Sequence, residues 1–179
     1  TGSKQDGDQP SSDCVDNTKH IKYGYAWLLN SAMNDGAQII NLSSSSTSQE
    51  NELKWAIARS MAQGIIITAS AGNEATDGNA TSLSQWSGVV GVSAIGIDDS
   101  RQDYSSWGQG VTTAAVGGPL VVHDYSSGQV TQVSGTSVSA PIVAGTLALA
   151  RQKWPNATSN QLLQLLVKTG LNPDHGWNQ

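Results

Sequence analysis

Residues 135–145 read Gly-Thr-Ser-Val-Ser-Ala-Pro-Ile-Val-Ala-Gly, a reactive hydroxyl set after Gly-Thr and ahead of small and β-branched residues. Gly135 lets the backbone turn sharply and leaves room for a second backbone beside it. From Thr136 to about Trp154 the residues are mostly small or apolar, which predicts a helix with Ser137 in its first turn. Ser139, Ala140, Ala144, Gly145 and Ala148 are small enough for that helix to pack closely in an interior. Its positive end favours negative charge developing on the Ser137 oxygen or on a carbonyl bound beside it. Thr and Ser ahead of an apolar run are also ordinary caps, so the stretch taken alone also reads as the start of a core helix.

Upstream, apolar runs alternate with helical periods. Tyr25, Leu28, Leu29, Ala32 and Met33 recur at helical spacing within residues 22–35, and Gly36 is a stop signal. A short buried strand follows at 37–43. Leu53, Ala56, Ile57 and Met61 then form one stripe of a helix over 49–63, followed by strands at 65–70 and 88–95. This βαβ rhythm implies a parallel sheet covered on both faces, an α/β fold. After it, Ser127-Gly128 sits between two β-rich runs like a hairpin turn. A last helix is expected over 159–168, capped by Thr158 or Ser159, with Gly170 after its end.

Bulk properties exclude several classes. With 179 residues the chain is long enough for one domain with a core. Residues 1–20 are expected as a polar loop or loose tail and 21–179 as the folded part. A net charge of −5 and no basic run argue against nucleic acid, whose phosphates need clustered Lys and Arg. No apolar run approaches the roughly 20 residues of a membrane span. Cys14 has no second cysteine for a disulfide or a metal pair.

A second motif changes the weight of the first. Residues 69–75, Ala-Ser-Ala-Gly-Asn-Glu-Ala, end a buried strand in a small-residue turn presenting Asn73, whose amide NH₂ can donate to an oxyanion. An asparagine in a turn is ordinarily structural. Together, however, the two segments resemble the subtilisin-like serine proteases. That family carries Gly-Thr-Ser-Met-Ala-x-Pro at its nucleophile, against Gly-Thr-Ser-Val-Ser-Ala-Pro over residues 135–141 here. Residues 71–74 match its oxyanion turn, and residues 39–43 resemble its substrate-binding strand.

The resemblance implies a three-layer fold with Ser137 as nucleophile and Asn73, with the Ser137 N–H, as oxyanion donors. It implies Ser70, Ala71 and Gly72 along one wall of the primary specificity pocket, and Ser43, Ser44 and Ser45 offering backbone groups to an extended peptide. Ser44-Ser45-Ser46 departs from the family's Leu-Gly-Gly, so pocket preference here is its own. Protein or peptide substrates and a secreted or cell-surface location are implied too, with no cofactor required. Structural calcium is frequent in such proteases, but no spacing here identifies ligands.

The family's base and its orienting carboxylate have no counterpart here. A serine hydroxyl needs a base, and the base a carboxylate. No segment matches the family's Asp-[Ser/Thr]-Gly strand end or its His-Gly-Thr helix start. His20, His123 and the Asp174-His175 pair all lie in unlike surroundings, and adjacent side chains point apart. The expectation is a fold present in part, lacking N-terminal strands and the His-bearing helix, and inactive alone. The sheet edge between Ala37 and Leu42 would then invite self-association or pairing with the missing segment. A non-catalytic module of the same fold is the alternative; retention of both Ser137 and Asn73 argues against it. A nucleotide-binding module fails for want of a glycine-rich phosphate loop.

Overall fold

The computed structural model describes residues 14–16, 21–44, 50–77, 82–125 and 127–171. In chain order its elements are β1 (Cys14–Asp16), β2 (Ile21–Tyr23), α1 (Tyr25–Asn34), β3 (Ile39–Leu42), α2 (Asn51–Ala62), β4 (Ile66–Ser70), β5 (Val89–Ile95), β6 (Val111–Val116), β7 (Leu120–His123), β8 (Val130–Val133), α3 (Thr136–Lys153) and α4 (Ser159–Lys168). A 3-10 turn at Leu83–Gln85 lies between β4 and β5.

Strands β3, β4, β5 and β6 pair in that order, all parallel, with Ile39 opposite Ile66 and Ile67 opposite Val89. Every residue of β4 is buried, as a strand covered on both faces must be. Its side chains alternate between two cores. Ile67 and Ala69 pack with Leu29 and Met33 of α1 and Leu53, Ala56 and Ile57 of α2. Ile66 packs on the other face with Val143 and Leu147 of α3 and Leu162 of α4. The result is the expected three-layer arrangement, with α1 and α2 on one side of the sheet and α3 and α4 on the other. At Gly91, where the β5–β6 register shifts, any Cβ would collide with the carbonyl of Ser84. Only glycine lets the 3-10 turn approach β5 so closely.

The hairpin forms as expected, β7 against β8, with Gly128 at φ +67° in its turn. Thr158 and Gln161 make a reciprocal capping box at α4. Three expectations fail locally. Residues 22 and 23 belong to β2, so α1 starts at Tyr25, and β2 pairs antiparallel with β1 inside the stretch expected as loop. A three-residue strand carries too little alternation to stand out beside a strong helical period, and its partner β1 is as short. Met61 is 56% exposed rather than in the core. Ser60 takes the inward position, its hydroxyl donating to the Ile57 carbonyl at 2.7 Å.

Candidate active site

All four parallel strands end on the same side, and the turn into α3 lies across those ends. Gly135 is the cap residue of α3, at φ +145° and ψ +162°, a conformation open essentially to glycine alone. A Cβ there would stand 3.1 Å from Ser137 Oγ and 3.3 Å from Asn73 Nδ2. The hydroxyl and the amide therefore flank one small space, kept open by the missing side chain.

Asn73 is held there by its neighbour in space, Thr136. The Thr136 N–H donates to Asn73 Oδ1 at 2.8 Å, and the Thr136 hydroxyl donates to the same oxygen at 3.0 Å. Thr136 Oγ1 in turn accepts the Gly72 N–H at 3.1 Å. With its oxygen committed, the amide turns its NH₂ outward, and Nδ2 has no acceptor among the described residues. Thr136 is fully buried while Asn73 is exposed, so the latch is shielded from water on its Thr136 side and opens to solvent on the other.

The first N–H groups of a helix have no intrahelical partners. Here the Gly135 N–H goes to the Gly117 carbonyl at 2.8 Å, that of Thr136 to Asn73, and those of Val138 and Ser139 to the Gly135 carbonyl. The Ser137 N–H alone in this turn has no acceptor among the described residues. Two uncommitted donors, Ser137 N–H and Asn73 Nδ2, thus stand beside Ser137 Oγ, which itself makes no hydrogen bond among the described residues.

Pro141 adds a further connection. It sits four residues after Ser137 and has no N–H, so the Ser137 carbonyl loses its helical donor. The Ser43 hydroxyl replaces it at 2.8 Å, and itself accepts from Asn41 Nδ2 at 2.8 Å; Asn41 Oδ1 accepts from the buried Thr68 hydroxyl at 2.9 Å. Sequence reasoning gave Ser43 only a backbone role and missed Thr136 and Asn41. The readable signal was the proline four places beyond the serine.

The remaining expected positions are distributed as follows. Ser70, Ala71 and Gly72 are buried at the end of β4, tied to β5 through Ala71 N–H to the Val92 carbonyl and to residue 106 through the Gly72 carbonyl. Glu74 lies against Gly72, with the Ser106 hydroxyl 3.4 Å from its carboxylate. Ser44 accepts from the Tyr25 hydroxyl at 2.6 Å. Ser45, His20 and His175 lie outside the described residues. His123 is exposed at the far end of β7, on the order of 10 Å along the hairpin from its root. Clefts of about 410 and 520 Å³, lined by residues such as Trp86 and Trp154, contain none of these groups.

The subtilase family model matches residues 7–179. The chain belongs to the subtilase family. It is 32% identical over 149 residues to a thermostable alkaline protease of Halalkalibacterium halodurans, covering 83% of this chain and 40% of that protein. It is 31% identical over 155 residues to subtilisin DY of Bacillus licheniformis, covering 85% of this chain and 55% of that one. Among solved structures, a cold-adapted subtilisin-like serine proteinase superposes with a TM-score of 0.69 at 27% identity, over 77% of this chain and 50% of that chain. The chain thus spans about half the length of the subtilases it matches. Among the described residues no helix is long and apolar enough to cross a membrane, and no three His, Cys, Asp or Glu converge on a metal position.

Proposed function

We propose that this subtilase chain contributes the nucleophile and oxyanion hole of a serine endopeptidase. Ser137 Oγ attacks the carbonyl carbon of a peptide bond, its proton passing to a base, and the carbonyl oxygen becomes an oxyanion. The Ser137 N–H and Asn73 Nδ2 donate to that oxygen, and the positive end of α3 adds to the stabilisation. The carbonyl then re-forms as the amine leaves, giving an ester on Ser137 that water hydrolyses. The supporting observation is the accounting of the α3 turn: of its N–H groups, the Ser137 N–H alone is uncommitted among the described residues, and it stands with the free end of Asn73 beside the hydroxyl.

Substrates in this reading are extended proteins or peptides, laid along Ser43, Ser44 and Ser45 on one side and Ser70, Ala71 and Gly72 on the other. The acyl transfer draws on side chains and backbone alone and calls for no cofactor; no calcium ligand set is assigned. Secretion or surface display accords with such a role. His123 is exposed at the far end of β7, and neither it nor His20 or His175 lies in a segment like the family's base, so in this reading the 179-residue chain by itself is expected to be inactive.

A fluorophosphonate probe tests both halves of the proposal. The protein expressed at the full length its gene encodes is expected to label stoichiometrically on Ser137, and Ser137→Ala to abolish labelling and peptide hydrolysis. Asn73→Ala is expected to lower kcat with little change in KM. Loss of one such donor costs on the order of 10²–10³ in turnover, a magnitude taken from a subtilisin asparagine rather than worked from these distances. Rapid labelling of the isolated chain would show that it holds its own base. Hydrolysis surviving Ser137→Ala would remove the proposed nucleophile.

A further inference from the structure

Nothing in the acyl-transfer reading above uses Tyr104. It lies in the loop after β5, and its hydroxyl donates to the Gly117 carbonyl at 2.8 Å. That carbonyl also accepts the Gly135 N–H at 2.8 Å. Gly117 follows β6 and has no room for a side chain: a Cβ there would meet Ala94, the Tyr104 oxygen at 2.7 Å and the Ser139 oxygen at 3.1 Å. The phenol, the Gly117 carbonyl and the Gly135 N–H therefore form one closed cluster directly beneath the nucleophile turn.

The geometry points to Tyr104 as a positioning residue for the oxyanion hole, acting through the Gly117 carbonyl on the Gly135 turn. This role rests on the proposed acyl transfer and acts through the backbone. Gly135, at φ +145° and ψ +162°, has no Cβ to restrict its backbone, and the orientation of the next two peptide planes sets where the Ser137 N–H points. Its own N–H has one anchor, the Gly117 carbonyl. That carbonyl lies after a strand end, in Gly117-Gly118-Pro119, where the ladder to β5 stops with the Gly117 N–H on the Ile95 carbonyl. The Tyr104 hydroxyl is the second donor on that oxygen and fixes its direction. Burial pushes the Tyr104 phenol above its usual pKa of 10.0, opposed by the facing Gly135 N–H, so the hydroxyl remains a donor throughout the neutral and mildly alkaline range.

The contribution is to transition-state geometry, not to substrate affinity, since Tyr104 is assigned no contact with substrate. In the full-length protein, Tyr104→Phe keeps the ring and removes only the donor. The expected result is a fall in kcat of about 5- to 10-fold, the worth of one hydrogen bond, with KM unchanged. Fluorophosphonate labelling of Ser137 should slow by a similar factor, because that reaction uses the same oxyanion donors. Replacement by 3,5-difluorotyrosine, whose phenol ionises nearer neutrality, should leave kcat near wild type at low pH and reduce it as the phenolate forms and the donor is lost. This second variant preserves the packing even where Tyr104→Phe fails to fold. Unchanged kcat and labelling rate in Tyr104→Phe, with or without a lower melting temperature, would overturn the inference, as would a rise in KM alone or a flat pH response in the fluorinated protein. Ser137→Ala is run in parallel. If it keeps activity, the nucleophile assignment has failed; if it is dead while Tyr104→Phe is normal, only the positioning role has.

Discussion

Replacing Thr136 by valine tests the latch that holds Asn73, because the side chain keeps its volume and branching and loses only the hydroxyl. Thr136 is fully buried, and Oγ1 accepts from the buried Gly72 N–H at 3.1 Å while donating to Asn73 Oδ1 at 3.0 Å. Leaving the Gly72 N–H unpaired costs about 1–3 kcal/mol, and losing the bond to Asn73 a further 0.5–1.5 kcal/mol or so. The Thr136 N–H still reaches Asn73 Oδ1 at 2.8 Å, so Asn73 keeps one of its two anchors. Destabilisation of about 1.5–4.5 kcal/mol is therefore expected in urea unfolding. Activity should fall by about tenfold, a smaller loss than for Asn73→Ala, because the amide is loosened rather than removed. Steady-state kinetics on the full-length protein should place the loss in kcat. Destabilisation under 0.5 kcal/mol together with unchanged kcat would refute the latch.

Two other substitutions probe different parts of the chain. Ser139 is fully buried and its hydroxyl has no partner among the described residues, so Ser139→Ala should stabilise the protein by about 1 kcal/mol, helped by the higher helix propensity of alanine; a loss of stability would show that the hydroxyl is satisfied after all. Strand β3 is an edge of the parallel sheet among the described residues, with half-buried Ile39, Ile40 and Leu42, so the 179-residue chain is expected to self-associate through it and Ile40→Lys to reduce this in light scattering. A monomer whose residue 39–42 amides exchange rapidly would count against that surface.

The layers were legible because they are written in local periods. Leu53, Ala56 and Ile57 repeat at helical spacing, residues 66–70 form one short apolar run, and each pattern found the element it predicts. Strands β1 and β2 were not legible, since three residues carry almost no period and their pairing is decided by contact. Met61 was misread because the inward face at the end of α2 passes through Ser60, which leaves Met61 at the surface beside Gly88. At the site, Ser137 and Asn73 stood out through their motifs. Thr136, Ser43 and Tyr104 did not, because a threonine, a serine or a tyrosine shows its hydrogen bonds only after distant segments have been brought together.

Those distant segments share a common origin in the sheet. The carboxyl end of β3 supplies Ser43 to the Ser137 carbonyl, and that of β4 supplies Gly72 and Asn73 to Thr136. The loop after β5 supplies Tyr104, and the end of β6 supplies the Gly117 carbonyl that receives both Tyr104 and the Gly135 N–H. An antiparallel sheet would send alternate strand ends to opposite sides, and half of these groups would be out of reach. Parallel order brings all four to the same side, around the turn at Gly135 that leads into α3. Each contact removes one freedom from that turn, and the one N–H left over belongs to Ser137. A change at any of the four strand ends should therefore act on the same donor, which is why Thr136, Ser43 and Tyr104 variants are expected to converge on kcat although their side chains lie on different elements.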